Sequence, residues 1–334
     1  FEMYESMKVA ANWDRFVSSH TRFHANPSNP EAQLGFDEIF TNAMLLDLPF
    51  LMHHNNDFGW WEVEEKLKLA REKGLVMWSE YYPYDAASTA IGSSFLVPES
   101  VQGMYNAKYE EMMYDPTRDK FLTKEEYLVI AAEDPGHLVV LFSPARKDWM
   151  KYWLQIPNMT VAADSIYSGL GTDSWDADPT EYQGHPRTAG TRGKVLRMAR
   201  EEGVPLLFTL AQTSYWAAKH LGDAGVESMK VRGRMQEGMV ADITIFDPEN
   251  VTDNATYKAK EQGNPTTGIS YVIVNGEQVV KEAEFQKVWA GQPIRNTPSD
   301  ESRFEGLSKE KFLENLTVPT ISIDDSGASG NPQL

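Results

Sequence analysis

The stretch LPFLMHHNNDFGWWEVEEKLKLAREKGLVMWSEYYPY, residues 48–84, decides the fold class of this chain. Two short apolar runs, 48–54 and 75–84, flank a charged segment, 60–73, which has helical spacing and ends at Gly74. Apolar runs that alternate with helices are typical of parallel strands joined by crossover connections. Further strand-like runs lie on either side of this stretch: DRFVSSH (14–20), HLVVLFS (137–143) and MTVAADS (159–165). We therefore predict an α/β chain with a parallel sheet.

The pattern changes after residue 190, where two helical segments are followed by alternating or β-branched runs at 241–247 and 269–280. Asn275-Gly276 within the second run predicts a tight turn, so these runs indicate an antiparallel β appendage. From about residue 291 the chain is rich in Pro, Ser, Asp and Gly, which predicts an extended arm that packs across a neighbour or is disordered.

Charge and composition exclude several classes of function. The 334 residues carry 49 acidic and 31 basic side chains, a net charge of -18, which disfavours nucleic acid and anionic membrane surfaces as partners. The absence of cysteine excludes disulfides, thiolate metal sites and cysteine nucleophiles. No apolar run approaches the roughly 18 residues that would span a bilayer. We expect a soluble protein, cytoplasmic or periplasmic, and the sequence does not distinguish the two.

Three residues at the ends of predicted strands could hold a metal. His20, His53 and Asp164 each end such a run, and the carboxyl ends of parallel barrel strands converge on one face. Two imidazoles and a carboxylate are the composition of a zinc-hydrolase site. The alternative is that both histidines are hydrogen-bonded at the rim of the sheet.

Two further residues could contact a substrate. Tyr82 also follows a strand end and could donate its phenol to a developing oxyanion, or it could simply pack at the rim. Arg187, in the loop motif GHPR (184–187), could hold a carboxylate through two hydrogen bonds, or it could be an ordinary surface arginine.

Seven motifs together give the chain a family resemblance. The motifs are SHTR (19–22), MHHN (52–55), YPYDAAST (82–89), AADS (162–165), HPRTAGT (185–191), RGRMQEGMVADITIFDPENV (232–251) and VNG (274–276). With these motifs the chain resembles the D-aminoacylases (N-acyl-D-amino-acid deacylases) of the amidohydrolase superfamily, and the similarity covers nearly all of residues 14–281.

The resemblance implies a (β/α)8 TIM-type barrel with a small β-sandwich built from both chain ends. On this reading the chain supplies about the last five barrel strands. Residues 1–235 are the C-terminal portion of the barrel with an insertion around 98–135, residues 236–290 are part of the sandwich, and residues 291–334 are the extended arm.

The resemblance also assigns roles to individual residues. His20, His53 and Asp164 match metal ligands for one or two Zn²⁺ ions, and Asp164 is in addition the catalytic proton acceptor. Tyr82 matches the active-site tyrosine. The substrate-binding residues are then Arg187, which matches the carboxylate-binding arginine, together with Ser88, Asn55 and His185.

Two departures from the family pattern stand out. The family usually has Lys where this chain has Asn55, which removes a cation beside the metal and is expected to alter substrate recognition. The family's His-x-His motif is missing, and no His-x-His occurs anywhere in the sequence. We expect a second chain or an N-terminal fragment to supply it, and we expect the assembly to be oligomeric.

The implied activity is metal-dependent removal of the acyl group from N-acyl-D-amino acids or related D-configured amides. The small-molecule substrate would be an N-acyl amino acid. Two alternatives are a cyclic amidase similar to hydantoinases, and an inactive barrel subunit with an assembly or binding role. The HPR anchor argues against the first, because hydantoins have no free carboxylate.

Overall fold

The computed structural model describes residues 2–22, 32–102, 107–165, 175–299, 301–306 and 308–316. The helices are α1 (Glu2–Asn12), α2 (Ala32–Leu45), α3 (Trp60–Glu72), α4 (Pro98–Ser100), α5 (Tyr109–Met112), α6 (Lys124–Glu133), α7 (Ala145–Trp153), α8 (Arg187–Glu201), α9 (Leu206–Leu210), α10 (Trp216–Asp223) and α11 (Lys309–Leu316). The strands are β1 (Val17–Ser19), β2 (Phe50–Met52), β3 (Met77–Tyr81), β4 (Ala86–Ala90), β5 (Met113–Asp115), β6 (Lys120–Phe121), β7 (Leu138–Phe142), β8 (Thr160–Val161), β9 (Ile243–Phe246), β10 (Ile269–Val274), β11 (Glu277–Lys281) and β12 (Glu284–Phe285).

A parallel sheet of order β1-β2-β3-β8 positions the candidate site. The stretch 48–84 forms β2, α3 and β3, as its pattern predicts. Helix α3 places Val63, Leu67 and Ala70 against the sheet, where their burial stabilises the crossover by roughly 1.5–3 kcal/mol for each of the larger side chains. The main core, which includes Phe36, Phe50 and Met77, lies between this sheet and helices α1 to α3.

The structure corrects one of the five barrel strands that the sequence predicts. Of the five runs that were expected to be barrel strands, four are parallel, and the run 137–143 is not among them. As β7, it pairs antiparallel with β4 and β5 in a second sheet of order β4-β7-β5-β6. A short apolar run looks the same in either kind of sheet, because its pattern reports burial and not the direction of its partner.

The second sheet packs against its own core, which includes Leu96, Met113 and Val139. Helix α6 begins at a capping box, in which the Thr123 hydroxyl accepts from the Glu126 N–H and the Glu126 carboxylate accepts from the Thr123 N–H. The insertion predicted around 98–135 falls within this layer. The strands of this layer run from Ala86 to Phe142 along the chain, so the layer includes more residues than the predicted insertion.

A third, antiparallel sheet of order β12-β11-β10-β9 forms the predicted β appendage. Asn275 and Gly276 both have positive φ (51° and 83°), as the predicted turn between β10 and β11 requires. Part of the arm returns to its own chain: the N–H of Phe304 donates to Asn12 Oδ1 (2.6 Å), and its ring packs on the main core. The end of the arm, 317–334, lies outside the described residues. Among those described, no helix is both long and apolar enough to cross a membrane.

Candidate active site

The carboxyl edge of the parallel sheet carries four of the predicted site residues. His20 follows β1, His53 follows β2, Tyr82 follows β3, and Asp164 lies just beyond β8. Because the four strands are parallel and adjacent, all four residues lie along the same edge. The sequence alone predicts this arrangement, since it follows from where each apolar run ends.

A histidine that the strand pattern does not single out contacts His20. The Nδ1 atom of His20 lies 2.8 Å from the Nε2 atom of His54, and the two rings meet edge to face. Strand alternation would place His54 on the opposite side from His53. However, β2 ends at Met52, and His54 has a left-handed backbone (φ 29°), so the alternation no longer applies. A second histidine directly after a strand end is the signal that could have identified it.

The donor chemistry of His20, His53 and Asp164 suits zinc, which binds imidazole nitrogen and carboxylate oxygen. In the described part of the chain, however, no three His, Asp or Glu side chains converge closely enough to hold a metal ion. Burial lowers the pKa of His53, and the negative charge of Asp164 opposes this shift. The imidazole is therefore biased toward its neutral form, which is the form that binds metals. The metal-ligand role of the three residues stays a prediction.

Asp164 and Arg187 form an ion pair at this edge. Asp164 has a left-handed backbone (φ 48°) and lies with one carboxylate oxygen 2.9 Å from Nη1 of Arg187. Arg187 is buried at the start of α8, with its guanidinium carbon 4.9 Å from the centre of the Tyr82 ring. Within the described residues, neither Nε nor Nη1 of Arg187 has a partner that meets hydrogen-bond geometry. A buried donor without a hydrogen bond costs about 1–3 kcal/mol.

His185 holds the loop that places Arg187. Its Nε2 donates to the Ala86 carbonyl (3.0 Å) and its Nδ1 accepts from the Arg187 N–H (3.0 Å), so the ring is the neutral Nε2–H tautomer. Complete burial and the charge of Arg187 lower its pKa well below the ordinary range, in agreement with this tautomer. The structure therefore gives His185 a positioning role, and direct contact with substrate stays a prediction.

Two other predicted substrate-binding residues are held by protein partners. The Ser88 hydroxyl donates to the Val139 carbonyl across β4 and β7 (3.0 Å). The buried Asn55 amide donates to the Trp60 carbonyl (3.0 Å) and to a carboxylate oxygen of Glu64 (2.9 Å). Burial raises the pKa of Glu64. The Asn55 amide, which stands where the family usually has Lys, therefore faces a carboxyl group that burial biases toward its neutral form. Substrate contact by Ser88 and Asn55 stays a prediction.

Comparisons with known proteins agree with this architecture. No family model matches the chain. A D-aminoacylase from Alcaligenes xylosoxydans xylosoxydans is 37% identical over 131 residues, which are 36% of this chain and 24% of the relative. An N-acyl-D-aspartate deacylase from the same organism is 39% identical over 112 residues, 33% of this chain and 20% of the relative.

A solved structure shows the fold. The N-acyl-D-glutamate deacylase from Bordetella bronchiseptica, complexed with zinc and a phosphonate inhibitor that mimics the tetrahedral intermediate, aligns with a TM-score of 0.67 at 22% identity. The alignment covers 88% of this chain and 59% of that one. The chain therefore shares the fold of the aligned part of that deacylase, and it spans only part of the length of the proteins it matches. The sequence matches confirm the resemblance to the D-aminoacylase family that the motifs indicate.

Proposed function

We propose that this chain is part of a metal-dependent amide hydrolase that removes the acyl group from N-acyl-D-amino acids. The observation that carries the proposal is the buried guanidinium of Arg187 beside Asp164 at the carboxyl edge of the sheet, because its Nε and Nη1 make no hydrogen bond to any of the described residues. A carboxylate on the substrate would satisfy these donors with charge-assisted hydrogen bonds. The matched relatives, whose names specify D-aminoacylase and N-acyl-D-aspartate deacylase, support a substrate of this class.

In this proposal His20, His53 and Asp164 would hold zinc, as one or two ions. When bound, zinc would supply a lowered pKa for a water and polarisation of the scissile carbonyl. Asp164 accepts the proton of the attacking water and later delivers it to the leaving amine. Arg187 binds the carboxylate of the amino-acid half, and Tyr82 donates its phenol hydrogen to the developing oxyanion.

The pairing of Asp164 with Arg187 suits both roles. In the free site, one carboxylate oxygen of Asp164 lies 2.9 Å from Nη1 of Arg187. A substrate carboxylate that takes over Arg187 would release Asp164 from this contact, so that its carboxylate could turn toward the attacking water.

We also propose that a second chain or an N-terminal segment supplies the remaining ligands on a His-x-His motif and completes the barrel. Strands β1 and β8 are the outer strands of the described parallel sheet. Each outer strand presents backbone N–H and C=O groups that need partners when a barrel wall is closed. A co-purifying or covalently continuous segment that contains His-x-His would support this assembly.

The Asp164→Asn substitution tests the activity, because asparagine keeps the size of the side chain but cannot accept the proton. We expect hydrolysis of an N-acetyl-D-amino acid to fall by roughly two to four decades in the zinc-loaded protein. Asp223→Asn is the matched control: the Asp223 side chain has similar exposure (42% against 39%) and also pairs with one basic residue, Lys219. It should leave the rate unchanged.

The same assay tests the alternatives. If the zinc-loaded assembly hydrolyses no N-acyl-D-amino acid, the proposed activity is refuted and the inactive barrel subunit is favoured. Hydrolysis of cyclic amides without hydrolysis of linear ones would favour a hydantoinase-like enzyme. That alternative is weaker, because the matched relatives at 34–39% identity are deacylases and a hydantoin ring offers Arg187 no carboxylate.

A further inference from the structure

A buried three-residue chain of hydrogen bonds ends on the Tyr82 phenol. Nη1 of Arg146 donates to the Tyr82 oxygen (3.0 Å), and Nε of Arg146 donates to Asp57 Oδ1 (3.1 Å). A second guanidinium nitrogen, Nη2, also contacts Asp57. Tyr82, Arg146 and Asp57 are 2%, 4% and 7% exposed, so water contributes little to satisfying them. The sequence motifs give no role to Arg146 or Asp57.

The three residues come from separate parts of the fold. Tyr82 follows β3, Asp57 lies in the loop between β2 and α3, and Arg146 is in the first turn of α7, just after the second sheet. Asp57 neutralises the buried charge of Arg146, which would otherwise be strongly destabilising. Together, the charge of Asp57 and its hydrogen bonds raise the pKa of Arg146 against the effect of burial, so the guanidinium stays charged.

The chemistry of the two groups fixes the direction of the phenol hydrogen. A guanidinium can only donate hydrogen bonds, whereas a phenol has one hydrogen and two acceptor lone pairs. Since Arg146 donates to the Tyr82 oxygen, the Tyr82 hydrogen points elsewhere. Donation from a cation also withdraws electron density from the oxygen and makes the O–H a stronger donor.

We infer that Arg146, held by Asp57, is a positioning residue that presents the Tyr82 hydroxyl as a hydrogen-bond donor to the substrate oxygen that becomes the oxyanion. This inference rests on the proposed function. It adds that the strength of Tyr82 as a hydrogen-bond donor depends on Arg146. This cation lies on α7, whereas His20, His53, Tyr82 and Asp164 all follow strand ends. A structural role for Arg146, joining α7 to the β2–α3 loop, is the competing explanation.

A double-mutant cycle distinguishes the two explanations. Arg146 and Asp57 are replaced together (Arg146→Gln, Asp57→Asn) so that no unpaired charge stays buried, and this change is made with and without Tyr82→Phe. We expect kcat to fall by about ten- to a hundredfold in the Tyr82 background with little change in KM. In the Tyr82→Phe background, which lacks the donor, the same replacement should change kcat by less than about threefold. Equal losses in both backgrounds would mean a structural role and would overturn the inference.

The control is the neutralised pair Arg197→Gln, Asp253→Asn, which removes another Arg–Asp contact (2.7 Å), one that joins α8 to the segment after β9, and should leave kcat unchanged. Thermal unfolding checks that each variant folds. If the Arg146/Asp57 double variant does not fold, Arg146→Lys replaces it in the cycle, because lysine keeps the charge but cannot donate in the same planar arrangement.

The cycle also separates this inference from the proposed function. A wild-type protein that is inactive, or an Asp164→Asn variant with normal turnover, refutes the function and the inference together. Loss of activity in Asp164→Asn combined with an additive cycle refutes the inference alone.

Discussion

Replacement of Arg187 by lysine measures how much the site depends on a substrate carboxylate. Lysine keeps the positive charge but loses the planar group that can make two parallel hydrogen bonds. In the structure, Nε and Nη1 of Arg187 are buried without hydrogen-bond partners among the described residues, and Nη1 also lies 2.9 Å from Asp164. A single ammonium group cannot occupy both positions at once.

The expected loss follows from these contacts. One charge-assisted hydrogen bond contributes about 1.5–3 kcal/mol, which corresponds to roughly a ten- to more than hundredfold fall in kcat/KM. The loss should appear with an N-acyl-D-amino acid. It should be small with the corresponding amino-acid amide, which has no carboxylate for the arginine to bind.

The assay therefore compares kcat/KM for this pair of substrates in the wild type and in Arg187→Lys. Arg200→Lys, on the same helix, is the control: Arg200 donates to the carbonyls of Pro248 and Val251, and its replacement should leave both substrates unaffected. Equal loss on acid and amide in Arg187→Lys would refute the anchoring role. It would indicate instead that Arg187 acts through Asp164 or through the local fold.

Two further predictions concern stability. Burial lowers the pKa of His220 to about 4, although the hydrogen bond from its Nε2 to the Asn158 carbonyl opposes the shift. The unfolded chain therefore takes up a proton below about pH 6.5 that the folded chain does not. The stabilising effect of the neutral imidazole is complete above that pH and is lost on acidification toward pH 4. The free energy of unfolding in urea should therefore decline between these pH values, and His220→Gln should remove about 3 kcal/mol of that decline. An unchanged decline in the variant would contradict the assignment. Gly268→Ala should destabilise the third sheet by more than Gly276→Ala. Both glycines have φ near 85°, but only a Cβ at position 268 would meet the backbone of Val251, at 2.6 Å. Equal melting temperatures for the two variants would contradict this.

The parts of the site that depend on local pattern could be predicted from the sequence. His20, His53, Tyr82 and Asp164 lie on one edge because each follows an apolar run, and parallel strands bring such ends together. The turn at Asn275-Gly276 depends only on two residues that tolerate positive φ. In each case the information lies within a few residues of the feature.

The parts that depend on distant partners could not be predicted. The run 137–143 has the composition of a barrel strand, yet β7 pairs antiparallel with β4, some fifty positions earlier. The motif comparison shows only that Asn55 replaces a lysine, whereas the structure shows its amide buried against Glu64. Arg146 belongs to no motif, and its contact with Asp57 joins residues 89 positions apart. Only the fold brings these groups together.

The two arginines beside Tyr82 differ in what their partners can do. Asp57 is buried and bonded to Arg146 by two nitrogens, so removing it would leave an uncompensated charge, and the pair is expected to stay intact through a reaction cycle. Asp164 is partly exposed and meets Arg187 through one nitrogen, so an incoming carboxylate can take its place at little cost in desolvation. Both guanidinium groups lie close to the same phenol ring, with their central carbons 5.7 Å (Arg146) and 4.9 Å (Arg187) from its centre. Arg146 is thereby suited to a fixed role in orienting Tyr82, whereas Arg187 is suited to exchange Asp164 for a substrate.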